Sequence, residues 1–226
     1  MKKNLLFSIG LLVVLLTFTS CNEKKNDVPV NQINGHEYID LGLPSGIKWA
    51  TCNVGANSPE EFGDYYAWGE TEEKKEYSWR TYKWCNGSYY SMTKYCTDSD
   101  YGTVDNKTTL DPEDDVARVK WGGSWRIPTL EEQKELLNGC SWEKKKISGV
   151  SGYKVTGPNG NSIFLPAAGN REGTELNNRG TYGNYWSSVL YEDGSDDAYY
   201  LYFHRDSFDW YNYSRCIGRG VRPVCD

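Results

Sequence analysis

Acid–base or nucleophilic chemistry needs convergent groups, and this chain offers few of them. Its two histidines, His36 and His204, lie in different parts of the sequence. The sequence contains no GxSxG elbow, no HExxH pair and no GxxxxGK[ST] phosphate loop. Those are the spacings that strain a serine on a turn, face two imidazoles to one zinc, or wrap amides round a phosphate. The glycine pair Gly122-Gly123 before Ser124 and Trp125 reads as a turn. No CxxC or Cys/His grouping has metal-site spacing. Carboxylates gather twice, at Glu113 to Asp115 and at Glu192, Asp193, Asp196 and Asp197. Such oxygens suit calcium, but the first group opens a helix, where its charge complements the dipole. The expectation is no catalysis, no metal and no cofactor.

Binding chemistry is abundant instead. Nine Trp and eighteen Tyr crowd the chain, and towards the C-terminus they interleave with Asp, Asn and Ser. Tyr and Trp supply rigid contact area at small entropic cost, while Ser, Asn and Asp supply adaptable hydrogen bonds. The expected ligand surface is Tyr191, Asp193, Tyr200, Tyr202, His204, Asp206, Asp209, Trp210, Tyr211, Asn212 and Tyr213. Alternation through residues 198–204 turns Leu201 and Phe203 inward and Tyr200, Tyr202 and His204 outward. Sugar faces stack on such rings and sugar hydroxyls meet Asn and Asp, so the partner class is an extracellular glycan or a protein. With Trp186, Leu201 and Phe203, Trp49, Trp121 and Trp125 are read as core.

The elements that must position these residues are short. Asp111 and Pro112 start one helix over Pro112 to Lys120. Thr129 and Glu132 form a capping box for a second over Thr129 to Asn138, with Leu130, Leu136 and Leu137 facing the core. Gly139 ends it. Tyr38 to Leu41 and Lys48 to Asn53 form an opening hairpin around Pro44-Ser45-Gly46. A second hairpin turns at Gly157 to Gly160, and a third pairs residues 185–191 with 197–204 across Glu192 to Asp196. With a loop-rich section over residues 55–110, the fold class is α+β: two short helices, several short antiparallel strands and long loops.

Lys2 and Lys3 precede the apolar stretch Leu5 to Phe18, a signal peptide spanning residues 1–20. Thr19 and Ser20 stand before Cys21, the pattern of a bacterial lipobox, so Cys21 is the expected lipidation site and membrane anchor. Residues 21–34 read as a flexible lipidated tether and 35–226 as one domain. Losing the leader removes Lys2 and Lys3 and no acid, moving the net charge from −6 to −8. That acidity excludes nucleic-acid partners. Six cysteines remain of seven, an even number that permits disulfides in an exported chain. Cys85–Cys96 is the favoured local staple.

Several stretches occur together in order: residues 38–56, "YIDLGLPSGIKWATCNVGA"; 61–70, "EFGDYYAWGE"; and 113–137, "EDDVARVKWGGSWRIPTLEEQKELL". Then come "FLPAAGNR", "GNYWSS", "AYYLYF" and "GRGVRPVC". As a set, over residues 35–226, they resemble the Fibrobacter succinogenes major paralogous domain proteins, common as lipoproteins of gut Bacteroidota. The resemblance implies a C-type-lectin-like fold, shared with the formylglycine-generating enzyme, in which N- and C-terminal strands pair and a loop-rich region displays ligand. That pairing would bring Cys52 and Cys225 into one neighbourhood. The residues from Tyr191 to Arg215 are also similar to the variable segment of diversity-generating-retroelement proteins, where adenine mutagenesis yields Asn, Tyr, Ser, Asp and His. The known calcium-lectin motifs are missing: "GPNG" at 157–160 lacks the carboxylate, and no Trp-Asn-Asp occurs. A formylglycine-type enzyme would need a reactive cysteine, for which Cys216 beside Arg215 and Arg219 is the candidate. The expectation is therefore a ligand-binding lipoprotein anchored in the bacterial outer membrane, periplasmic or surface-exposed. The alternatives are a structural or adhesin-type surface lipoprotein and, third, a formylglycine-generating-type enzyme.

Overall fold

The computed structural model describes residues 31–226. The expected signal peptide, the lipidation site Cys21 and the tether up to residue 30 lie outside the described residues. The end of the expected tether already belongs to the domain. Strand β1 (Gln32–Ile33) pairs with β2 (His36–Asp40), and the Trp125 indole donates to the Ile33 carbonyl at 2.9 Å. The β2 strand runs antiparallel to β3 (Lys48–Ala50). The reversal between them is the expected one, with Gly46 at φ +73° donating to the Leu43 carbonyl.

The long section that follows carries little regular structure, but it has its own core. Tyr65, Tyr77, Tyr82, Met92, Cys96 and Ile217 pack together there. The first helix differs from expectation. Pro112–Asp114 is a single 3₁₀ turn, and α1 (Val116–Trp121) begins only after it. The cap is Asp115, not Asp111. Its buried carboxylate accepts from the amides of Ala117, Arg118 and Ile127. Holding three amides at once, Asp115 keeps an extended backbone and forces the helix to restart behind it. Gly122 and Gly123 end α1 in the expected turn.

Helix α2 (Leu130–Gly139) carries the expected capping box between Thr129 and Glu132. Arg126 grips the Glu132 carboxylate with two nitrogens, at 2.7 and 2.5 Å. Burial opposes ionisation of Glu132, but Arg126 and the Thr129 amide outweigh it and hold the carboxyl below its usual range. Leu130 and Leu136 are buried and Leu137 partly so, and between them Gln133 is buried as well.

Three antiparallel strands follow, β4 (Ser141–Ile147), β5 (Val150–Thr156) and β6 (Ser162–Pro166). A small ladder joins β7 (Asn170–Glu172) to β8 (Glu175–Asn177). The third main sheet is β9 (Tyr182–Leu190), β10 (Asp197–His204) and β11 (Ser207–Ser214), with β10 in the middle. Gln133 of α2 donates to the Tyr185 and Trp186 carbonyls of β9, which fixes the helix against this sheet. Gly183 of β9 faces Phe203 so closely that a Cβ would sit 2.1 Å from the ring, so no other residue fits. Finally β12 (Val224–Cys225) pairs with β3, joining the two ends of the domain. The described chain is thus built mostly of antiparallel sheets with two short helices. Among the described residues, no helix is long and apolar enough to cross a membrane.

The cysteine expectation is corrected. Cys85 and Cys96 are both free, as are the other four cysteines described. Each of the two thiols donates to a nearby carbonyl, of Trp79 and of Asp98. The small core of this section is held by tyrosine packing and not by a staple.

Candidate functional site

Register divides the aromatic C-terminal stretch between two sides of a sheet. Tyr200 lies opposite Tyr211, and Tyr202 opposite both Asp209 and Asn184. Since side chains alternate along a strand, Tyr202, His204, Asp209, Tyr211 and Tyr213 share one face with Tyr182 and Asn184. Phe208, Trp210 and Asn212 share the other with Leu201 and Phe203. The expected single patch is therefore two surfaces. Trp210 belongs with Tyr199 and α2, its ring lying 4.7 Å from the Lys134 ammonium.

Tyr200 is the clearest correction. It is only 8% exposed, so it is not an outward residue. Simple alternation supposes one wet face. In this molecule both faces of β10 are covered, Ala198 and Tyr200 packing in one core cluster and Leu201 and Phe203 in another. Exposure on the Tyr200 side begins at Tyr202, which is half-buried. On β11 the expectation holds: Tyr211 and Tyr213 are 47% and 45% exposed.

The rings on the tyrosine face form a connected set. Tyr202 meets Tyr211 edge-on at 5.4 Å, Tyr182 at 5.8 Å and Tyr200 at 6.4 Å. Tyr182, Tyr200 and Tyr202 line a groove of about 300 Å³ that is completed by Tyr213, Asn170, Asn177, Asn178, Glu172, Asn184 and Arg219, with Tyr211 packing on Tyr202 outside that lining. The floor is Arg219, buried at 3% exposure. Its guanidinium carbon lies 3.6 Å from the Tyr200 ring centroid and 5.4 Å from that of Tyr213. Arg219 Nη1 donates to Asn184 Oδ1 at 2.8 Å. Burial pushes the guanidinium pKa down to about 10, so it stays charged at neutral pH.

The remaining expected residues are spread out. Tyr191 donates to Asp193 at 3.2 Å in the turn between β9 and β10. His204 packs edge-on against Tyr182 at 4.1 Å. Asp206, in the two-residue loop between β10 and β11, pairs with Lys144 at 2.7 Å. The groove residues that sequence reasoning missed are Arg219, Asn184, Tyr182, Asn170, Glu172, Asn177 and Asn178. Only the asparagine-rich composition of residues 170–184 hinted at them, because β7 and β8 are brought to the sheet by tertiary contacts.

The catalytic and metal candidates resolve differently. Burial pushes the Cys216 thiol up to about 12, the opposite of activation. Arg215 is turned away, donating to the Tyr82 hydroxyl and to the Tyr95, Ser195 and Lys94 carbonyls. Among the described residues, one carboxylate group converges, Asp111, Glu113 and Asp114. The Lys94 ammonium already sits in it, 2.6 Å from both Asp111 and Asp114.

Fold and site together define a β-rich domain with a concave groove lined by tyrosine and asparagine. No protein-family model, no curated protein and no solved structure matches the chain.

Proposed function

We propose that this chain is a lipid-anchored, C-type-lectin-like binding protein of the bacterial envelope whose tyrosine groove takes a glycan, and that it is not an enzyme. The observation that carries this reading is the connected set Tyr182, Tyr202 and Tyr200, with Tyr213 beside it, around a concavity edged by four asparagines. Flat rings receive the C–H faces of sugars, and amides that can both donate and accept suit hydroxyls. Of the two partner classes expected from sequence, the concave shape favours a glycan over a protein. The lectin-like reading is supported by the pairing of β12 with β3 and by the loop-rich section over residues 55–110. Anchoring through Cys21 rests on the leader sequence. In the same reading, the exposed β11 side chains are those free to vary by retroelement diversification. Tyr211 and Tyr213 belong to none of the three core clusters.

The test is glycan-array binding of the soluble domain and of its Tyr202→Ala and Tyr213→Ala variants, both of groove-lining residues. Each substitution removes one ring and is expected to weaken binding about fivefold, on a par with losing an aromatic contact of ~1 kcal/mol. Binding unchanged in both variants would remove the groove from consideration and favour the structural or adhesin-type alternative.

A further inference from the structure

Three buried arginines lie close together near the C-terminus, and two of them are fully engaged. Arg215 makes four hydrogen bonds, three of them to main-chain carbonyls. Arg222 likewise makes four, to Asn53 and to the carbonyls of Ala50, Thr51 and Phe164. These two act as pins in the fold. Arg219 differs. Among the described residues Nη1 donates to Asn184, the Tyr200 phenol lies against the guanidinium, no salt bridge forms, and the buried Nε has no partner. Asn184, 4% exposed, also leaves its buried Nδ2 without an acceptor. Buried donors without acceptors are costly, and here two belong to adjacent side chains that both line the tyrosine groove. What this floor lacks is an acceptor, and for a guanidinium the complementary acceptor is a carboxylate.

A second groove adds to this. It has a volume of about 660 Å³ and is lined by Lys144, Lys145, Lys146 and Arg205, among others. His204 belongs to its lining and Tyr182 to that of the tyrosine groove. These two residues are direct cross-strand partners with rings 4.1 Å apart, so the grooves adjoin. Acidic groups are present too. Glu172 edges the first groove and Glu143 the second. Lys144 pairs with Asp206 at 2.7 Å and Lys145 with Glu143 at 3.6 Å. Those pairs are exposed and of little worth, so an incoming anion competes with them readily. In a chain of formal charge −6, a cationic track leading from a buried arginine is a local departure that matches a polyanion.

We propose that the ligand is a carboxylate-bearing glycan: one sugar carboxylate is received by Arg219 and Asn184, and further acidic sugars pass over Tyr182 and His204 into the lysine-lined groove. This rests on the glycan-binding reading above and specifies its chemistry.

Titration calorimetry of the intact domain with an oligogalacturonate and with its methyl ester tests it. The two probes share their rings and hydroxyls and differ in charge. The free acid is expected to bind at least tenfold tighter than the ester. Arg219→Gln retains a donor for Asn184 and is expected to abolish that preference for the monosaccharide acid, leaving only the lysine contribution for the oligomer. Replacing Lys144, Lys145 and Lys146 together by Ala is expected to weaken long oligomers more than the monosaccharide acid. Raising the salt should shrink the lysine contribution first, because exposed charges are screened before buried ones. Equal affinity for acid and ester would overturn the carboxylate inference and leave glycan binding standing. Absence of binding to both probes and to every neutral or acidic glycan on the array would overturn the glycan reading itself, as would binding confined to acidic peptides. If Arg219→Gln fails to fold, the acid–ester comparison on the unaltered protein still decides.

Discussion

Asp197, at the start of β10, shows how burial and neighbouring charge together set a residue's behaviour. Burial first, and then the neighbouring Asp196, raises its pKa from 3.8 to about 6. The folded chain therefore holds this proton more tightly than the unfolded chain does. Below the unfolded value ionisation costs nothing. As pH rises from about 4 to about 6 the folded state loses stability, and above that the loss is complete. Asp197→Asn should remove this cost. Thermal melts are expected to show the variant more stable than the parent at pH 7, on the order of 1 kcal/mol after solvent screening, with the gap closing near pH 4. A constant gap across that range would contradict the assignment. Arg219, at the same scale, is a buried cation that keeps its charge because burial lowers its pKa only to about 10 and aromatic faces surround it.

Among the elements, β11 and β10 respond to substitution in opposite ways. The β11 strand is the edge of its sheet and exposes Tyr211 and Tyr213, so changing either to Ser should alter stability by no more than about 0.5 kcal/mol. Phe203, on β10, is 1% exposed, touching Tyr153, Tyr185 and Trp142. Phe203→Ala should cost about 3–5 kcal/mol, as read by urea unfolding. Similar costs at both positions would mean that β11 is not the variable edge described. The hairpin turns and the capping box of α2 were legible because their signals are local: Gly46 needs a left-handed φ, and Thr129 and Glu132 stand three residues apart. The start of α1 was misread because Asp111 and Asp115 are both plausible caps, and only the contact of Asp115 with the distant Ile127 amide decides between them. Tyr200 was misread because alternation reports that two faces differ, not that one of them is wet.

Across the whole molecule, the C-terminal segment ties the sheets together. Arg222 links β12's approach to the carbonyls of Ala50 and Thr51 and to Phe164 of β6, and Arg215 pins the loop-rich section. Arg222→Met should strand four acceptors and destabilise the domain by at least about 3 kcal/mol. Arg219→Gln should cost less, because it strands fewer partners. Chemical denaturation of the two variants tests that order, and a reversal would mean that Arg219 is a structural pin like the others. By itself the sequence determined the short antiparallel elements, the core tryptophans Trp49, Trp121, Trp125 and Trp186, the exposed aromatic character of β11 and the acidic charge. Those follow from composition, turn chemistry and local periodicity. Only the tertiary structure decided which rings share a face, that both faces of β10 are covered at Tyr200 and Leu201, and that Arg219 meets Asn184 beneath the tyrosines. The reason is physical: a groove is made where β7, β8, β9, β10 and the C-terminal segment converge, and the register and packing that bring them together depend on contacts far apart in the chain.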